Sequence, residues 1–486
     1  MRKFLNTFPL HTFLFTFFVC AFLLTHNQGQ VELFMVKRTL IAGNTLSLIF
    51  ICIFYLFTRN IIKSGISSTL ILLVLFNYGV LYDLIEVLYY ANLWPFNNIH
   101  RYLSGFIIAT CFLIIWLVQK KIKTGIRMNY FLNILLILLI VFNVSKLTYL
   151  NINTGISHNI ENPKIKNGQA KINPPNLYYI MLDGYANQRV LKKYYGFDNS
   201  DFTSFLNSNG FYIADSSFSN YYSTQSSLAA TLNMDYLTTT STELRRSQLL
   251  NNKFFKILKT NGYKLYQLQS GFSVTNGFSE IDSNIVISGP NEFERSILKF
   301  TIFRLDDLFG MIHHMRLKSQ FKKLNEIAQI KNNQKFTFIH IVAPHPPFVF
   351  NSNGEQMYND KHHYNSWEPK ENYIEQLIYL NKVIKSFISK IVANDKSGVI
   401  ILQSDHGPWI QSPDENVVFE ARSLILNAVR YPGLENSIFT NSVSSVNTFR
   451  IFTKQYIDST YQLLKDSTAG KEEIMTSILF KERKKH

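Results

Sequence analysis

Three short apolar runs in the C-terminal two thirds of the sequence each end in a residue able to do chemistry. "LYYIML" (177–182) delivers Asp183, "VIILQS" (399–404) delivers Asp405 and His406, and "FIHIVAP" (338–344) delivers His345. A fourth segment, "SNYYSTQSSLAATLNMDYL" (219–237), sets hydroxyls just ahead of a helix. Two carboxylates and an imidazole form an oxygen-rich set suited to a divalent cation, with Mn, Mg and Zn all admissible. A Ser or Thr hydroxyl drawn in as fourth ligand would be acidified and become a nucleophile. The start of a helix beside it adds partial positive charge for an anionic group. On chemistry alone Ser223 and Thr224 are equally able to serve.

Each motif has an ordinary explanation. Asp-Gly after a strand is usually a turn, and Asp-His-Gly is usually a loop. Their joint appearance, each behind a strongly apolar run, favours the metal site. His340 alternates with apolar neighbours and is expected to be a satisfied core histidine. His313, His314, His362 and His363 lie in polar surroundings and are expected at the surface.

Those residues need elements to position them. Besides the three runs above, "FYIAD" and "YKLYQLQS" have strand character, and "NSDFTSFLNSNG" reads as a helix stopped at Gly210. In 372–395, apolar residues at 374, 377, 378, 380, 384, 387, 388 and 391 give the spacing of an amphipathic helix. "GVIILQ" is continuously apolar, as in a strand buried on both faces of a parallel sheet. Strands alternating with helices argue an α/β sandwich, in which ligands gather beyond the carboxyl ends of the strands.

The N-terminal part is different. Apolar runs near 5–25, 39–58, 65–82, 103–119 and 129–149 each approach the ~20 residues needed to cross a hydrocarbon core. We therefore expect a multi-pass membrane domain of about five helices over 1–150, a polar linker over 151–175 ending in Pro-Pro, and a catalytic domain over 176–486. The first run lacks a clear cleavage motif and is expected to be retained. Arg2, Lys3, Arg59, Lys63 and the basic stretch 120–127 fall on one side if five spans are counted. That places the N-terminus in the cytoplasm and the C-terminal domain outside it. Asp83 and Glu86, at the end of the third run, are expected at an interface; as intramembrane acids they would lend weak support to a transporter.

Lys and Arg outnumber Asp and Glu by 49 to 33. Topology signals and attraction to anionic lipid account for that excess, and no nucleic-acid motif accompanies it. Cys20, Cys52 and Cys111 all fall in the apolar runs, so the C-terminal domain has neither a disulfide nor a thiol nucleophile.

In order, "LDGY", the threonine of "NYYSTQSSLAATLNMDYL", "PHPPF", "SDHGP" and "VNTFR" resemble the sulfatase-like branch of the alkaline phosphatase superfamily. The likeness covers about 176–455 and is nearest to membrane-anchored lipoteichoic acid synthase-like and phosphoethanolamine transferase-like proteins. It implies an alkaline phosphatase-like α/β/α sandwich and one divalent metal held by Asp183, Thr224, Asp405 and His406. Thr224 would be the nucleophile, and His345 would touch the substrate's phosphate or leaving group. It further implies a phospholipid donor in the membrane, a cell-envelope glycan or lipid as acceptor, and no nucleic-acid partner. True sulfatases carry a Cys or Ser in C/S-x-P-x-R and often an Asp-Asp pair; this sequence has no such motif in the C-terminal domain, and Gly184 follows Asp183. Both departures point to phosphoryl transfer over sulfate-ester hydrolysis. An ester hydrolase and a non-catalytic membrane scaffold are the rival expectations. Arg450 in "VNTFR" is expected to meet an anion or to form a structural ion pair.

Overall fold

The computed structural model describes residues 2–26, 33–91, 93, 98–154, 174–304, 308–331, 334–357, 366–435 and 438–467. His362, His363 and most of the expected linker lie outside the described residues. The chain divides into two compact units, one of residues 1–156 with 290–308, the other of residues 157–289 with 309–486.

The larger unit is built on seven strands: β1 Leu177–Leu182, β2 Tyr212–Ile213, β3 Lys264–Leu268, β4 Ser283–Ile285, β5 Lys335–Ile341, β6 Val399–Gln403 and β7 Asn427–Arg430. Their order across the sheet is β2-β7-β6-β1-β5-β3-β4. β4, β3, β5, β1 and β6 run parallel, while β7 is antiparallel to β6 and to β2. Every residue of β1, β5 and β6 is buried. The continuous apolar runs need cover on both faces, and they receive it. One face packs Tyr178, Ile180, Ile339 and Leu402 against Leu377, Leu380, Ile384 and Ile388 of the helix Lys370–Asn394. The other packs Tyr179, Met181, Phe338 and Ile401 with Leu228 and Leu232 of the helix Thr224–Asn233. This is the expected α/β/α arrangement. β4 and β7 are additional strands; at three and four residues they are too short for periodicity to reveal.

Among the described residues of the smaller unit, four helices are long and apolar enough to cross a membrane: Lys37–Thr58, Ile61–Tyr89, Ile99–Lys121 and Ile126–Tyr149. The first apolar run forms a shorter helix, His11–His26. A buried polar cluster ties these helices together. The His11 ring lies between Thr69 Oγ1 (2.6 Å) and Asn129 Oδ1 (3.1 Å), and the Asn133 amide donates to Leu5 O (2.8 Å). With every ring nitrogen partnered, this is packing that fixes helix register.

Residues 290–308 return to this unit from within the sequence of the larger unit. The helix Glu292–Phe300 buries Phe293 and Ile297 against Cys20, Leu23 and Met35. Arg304 then reaches Asp83 Oδ1 at 2.6 Å and lies over the Tyr82 ring. Asp83 and Glu86 thus share a cationic neighbour, Arg304.

Candidate active site

β1 occupies the centre of the three strands that carry chemistry, with β5 on one side and β6 on the other. Met181 is level with Gln403, so two residues on Asp183 and Asp405 leave adjacent strands at the same height. The chain beyond the strands is stitched in place: Asp183 N donates to Ile341 O (3.0 Å), and His345 N donates to Asp183 O (3.0 Å).

Gly184 is needed behind Asp183. Its φ of +75° is one that side chains rarely adopt, and a Cβ there would sit 2.5 Å from Trp367 Cη2. A second acid at this position would collide with the indole, which gives a steric reason for the departure from an Asp-Asp pair.

Asp405 Oδ1 accepts from the backbone N–H groups of Gly184 (3.1 Å) and His406 (2.9 Å). That turns Oδ2 toward His406 Nε2, 3.2 Å away. His406 Nδ1 donates to Gly407 O at 3.0 Å, so Nε2 carries the lone pair in the neutral ring. This Nε2 also faces Asp183 Oδ1 at 3.6 Å. Asp183 Oδ1 and Asp405 Oδ2 are buried and have no hydrogen-bond partner among the described residues. Asp183, Asp405 and His406 therefore aim three ligand atoms at one point, all within 4.8 Å of one another. Lone pairs that converge in a low-dielectric interior repel unless a proton or a cation lies between them. A divalent cation removes that repulsion, so the donor set fits one. The Nδ1–H bond to a carbonyl is the usual outer support of a metal-ligating histidine.

The helix Thr224–Asn233 brings the hydroxyls. Ser223 is its N-cap: its Oγ accepts from Ser226 N (3.3 Å) and donates to Ser226 Oγ (2.9 Å). Thr224 is free of that duty, and its Oγ1 lies 3.5 Å from Asp183 Oδ2. Ser227 on the same helix donates to Asp405 O at 2.7 Å, locking the helix start to the end of β6.

His345 sits at the edge of the cluster, half-buried, with its ring 6.2 Å from that of His406 and edge-on to Trp367. Its Nδ1 donates to Pro346 O (2.7 Å), which leaves Nε2 as the acceptor in the neutral form.

Burial acts on every group in the cluster. It lowers the pKa of His345 and of His406. Asp405 is raised to about 8 by burial and then by the charge of Asp183. Burial would also raise Asp183, but the imidazoles of His345, His340 and His406 outweigh it and hold Asp183 below the ordinary carboxylate value. Of the two carboxylates, Asp405 is the one that retains a proton when no metal competes for it.

Three neighbours were not anticipated from the sequence. His340 is fully buried, as expected of a core histidine. It nevertheless places Nε2 at 3.4 Å from Asp183 Oδ2, while Nδ1 meets Thr275 Oγ1 at 2.9 Å. Its position level with Met181 on β5 is the signal that could have found it. Arg422, from the helix Glu415–Ser423, donates Nη1 to Gly407 O (2.7 Å) and Nη2 to Tyr222 O (2.8 Å). One guanidinium thereby bridges the loop after His406 and the loop before Thr224. Trp367 roofs Gly184 and stands against His345. Arg450 lies elsewhere, donating to Met234 O and Gln462 O (both 2.6 Å) in place of an ion pair.

The Sulfatase family model matches residues 175–439, more than half of the chain and every residue of this cluster. The chain belongs to the sulfatase family. No curated protein matches it. Solved structures similar to this sulfatase-family chain include the C-terminal periplasmic domain of EcEptC from Escherichia coli in complex with Zn. That match has 13% identity, covers 62% of this chain and 90% of that one, and has a TM-score of 0.44. The lipoteichoic acid synthase LtaP from Listeria monocytogenes matches at 15% identity, covering 67% and 81%, with a TM-score of 0.38. The integral membrane lipooligosaccharide phosphoethanolamine transferase A from Neisseria meningitidis matches at 12% identity. It covers 95% of this chain and 97% of that one, with a TM-score of 0.42.

Proposed function

We propose that this sulfatase-family chain is a membrane-anchored, metal-dependent transferase of phosphoryl-linked groups, with Thr224 as nucleophile. The observation that carries the reading is the convergence of three buried ligand atoms, two of them without partners among the described residues; one belongs to Asp183, whose other carboxylate oxygen lies 3.5 Å from Thr224 Oγ1. Asp183, Asp405, His406 and Thr224 would hold the metal. When bound, the metal supplies positive charge for phosphoryl oxygens and favours the ionised hydroxyl.

The chain's own residues do the rest. Thr224 Oγ1 attacks the phosphorus of a phospholipid head group, and the bond from phosphorus to the lipid alcohol breaks. Thr224 becomes phosphoesterified and gives up its hydroxyl proton, and the departing alkoxide takes up one proton in exchange, which His345 Nε2, the lone-pair nitrogen of the neutral ring, is placed to relay. An acceptor hydroxyl from a cell-envelope glycan or lipid then attacks the same phosphorus, loses its proton, and frees Thr224. The half-exposed His345 and the roof of Trp367 line the side from which substrate enters. The absence of cysteine beyond residue 111 argues against a thiol-derived sulfatase nucleophile. A water in place of the acceptor would make the same site a hydrolase.

The test is intact-mass spectrometry of the full chain after incubation with phospholipid vesicles and Mn or Zn. A mass increment that maps to Thr224 and disappears in Thr224→Ala is expected. An increment on Ser223, or turnover undiminished in Thr224→Ala, would sink the assignment. Product analysis with and without an added acceptor separates transfer from hydrolysis.

A further inference from the structure

The smaller unit contains a cavity of about 380 Å³, within the size range of small-ligand sites. Its walls are apolar, among them Leu46, Leu75 and Phe76 from the membrane-length helices and Ile297, Leu298 and Ile302 from the returning segment. Nothing in the catalytic reading uses it. Its walls include residues of helices long and apolar enough to cross a bilayer, which suits it to an occupant drawn from lipid.

Three polar features select the occupant. Thr39 lines the cavity, and its buried Oγ1 has no hydrogen-bond partner among the described residues. An unpartnered hydroxyl in lipid is costly, and it suits an acceptor lying where hydrocarbon meets head group, as an ester carbonyl does. Arg38, 60% exposed, stands at the same end and is paired with Glu294 on the returning segment. Lys37 beside it is exposed and adds a second positive charge at that end. Hydroxyl and cationic end adjoin in sequence at Thr39, Arg38 and Lys37, beside the apolar walls.

We propose that this cavity holds an acyl chain of a glycerophospholipid, with an ester carbonyl accepting from Thr39 Oγ1 and the phosphate at Lys37. One wall is formed by residues 290–303 of the returning segment. The inference deepens the reading of phospholipid as donor, and rests on it only for the lipid's role, not for its binding.

The test uses the full chain carrying Thr224→Ala, so that binding is measured without chemistry. Vesicles contain phosphatidylethanolamine with a photoreactive diazirine in one acyl chain, and crosslinked peptides are mapped. Labelling is expected to concentrate on the peptides containing Leu46 and Leu298, and to fall at least about fivefold in Ala42→Trp, which fills the cavity from one wall. Leu298→Trp fills it from the other and keeps the test decisive if the first variant does not fold. A diazirine diacylglycerol lacking phosphate should label several-fold less, and Lys37→Glu should erase that difference. Labelling spread evenly over exposed span residues such as Phe57 and Phe112, unchanged in both filled variants, would overturn the proposal. Labelling as expected with no adduct on Thr224 in the unmodified chain would instead uphold the lipid site and remove the transferase reading.

Discussion

At the residue scale the deciding asymmetry lies between neighbours of the same chemistry. Ser223 and Thr224 are both hydroxyls at one helix start, but the cap geometry engages Ser223 and points Thr224 at Asp183. Ser223→Ala is therefore expected to lower stability by about 1 kcal/mol, as loss of a cap does, while keeping the Thr224 adduct. Thermal unfolding together with intact mass checks both halves. A second asymmetry separates the carboxylates. Asp405 is raised to about 8, so at pH 7 the metal-free site carries its proton there. A metal must displace that proton, and binding weakens as pH falls below about 8, by roughly tenfold per unit for one proton, and levels off above it. Calorimetry at pH 7 in two buffers of different ionisation enthalpy should show about one proton released per metal bound; zero release would contradict the assignment.

At the element scale the site depends on strand ends held in register and on two reinforcements. The Gly184 turn can exist because the residue lacks a Cβ under Trp367. Gly184→Ala combines a left-handed backbone with an overpacked contact and is expected to cost about 2 kcal/mol or more. Denaturant unfolding of the full chain measures it, and a neutral result would mean that Trp367 is free to swing aside. Arg422 is the second reinforcement. Arg422→Lys keeps the charge but cannot span Gly407 O and Tyr222 O together. We expect metal affinity to fall by about 10-fold to 100-fold, as for other outer supports of metal ligands, with secondary structure unchanged. Metal titration of the purified chain decides it. The strands and long helices of this unit were legible because burial on both faces forces unbroken apolar runs, and because the helix 370–394 repeats its apolar positions. β4, β7 and the helix bearing Arg422 were not: they are short, and what stabilises them is their neighbours.

At the scale of the whole molecule, the notable feature is that residues 290–308 belong to the helical unit although they lie deep in the catalytic sequence. Local composition could not disclose this. The segment "NEFERSILKF" reads as an ordinary amphipathic surface helix, and only its packing on Cys20, Leu23 and Met35 reveals which surface. The distribution of Lys and Arg between loops sets a separate expectation: protease added to spheroplasts should digest residues 176–486 and spare the loop 120–127. Protection of the catalytic domain would reverse the topology.

The sequence by itself determined four of the five expected membrane-length helices, the α/β class and the identity of the chemical groups, because these follow from apolar runs and from side-chain type. Asp183, Asp405, His406 and His345 were all nameable from the strand ends that bear them. The tertiary structure alone decided which atoms face one another: Asp183 Oδ1, Asp405 Oδ2 and His406 Nε2 converge, His340 stands behind Asp183, and Arg422 joins two loops separated by 184 residues of chain. Convergence is a property of sheet register and strand order, and those are fixed by long-range pairing that no local stretch of sequence encodes.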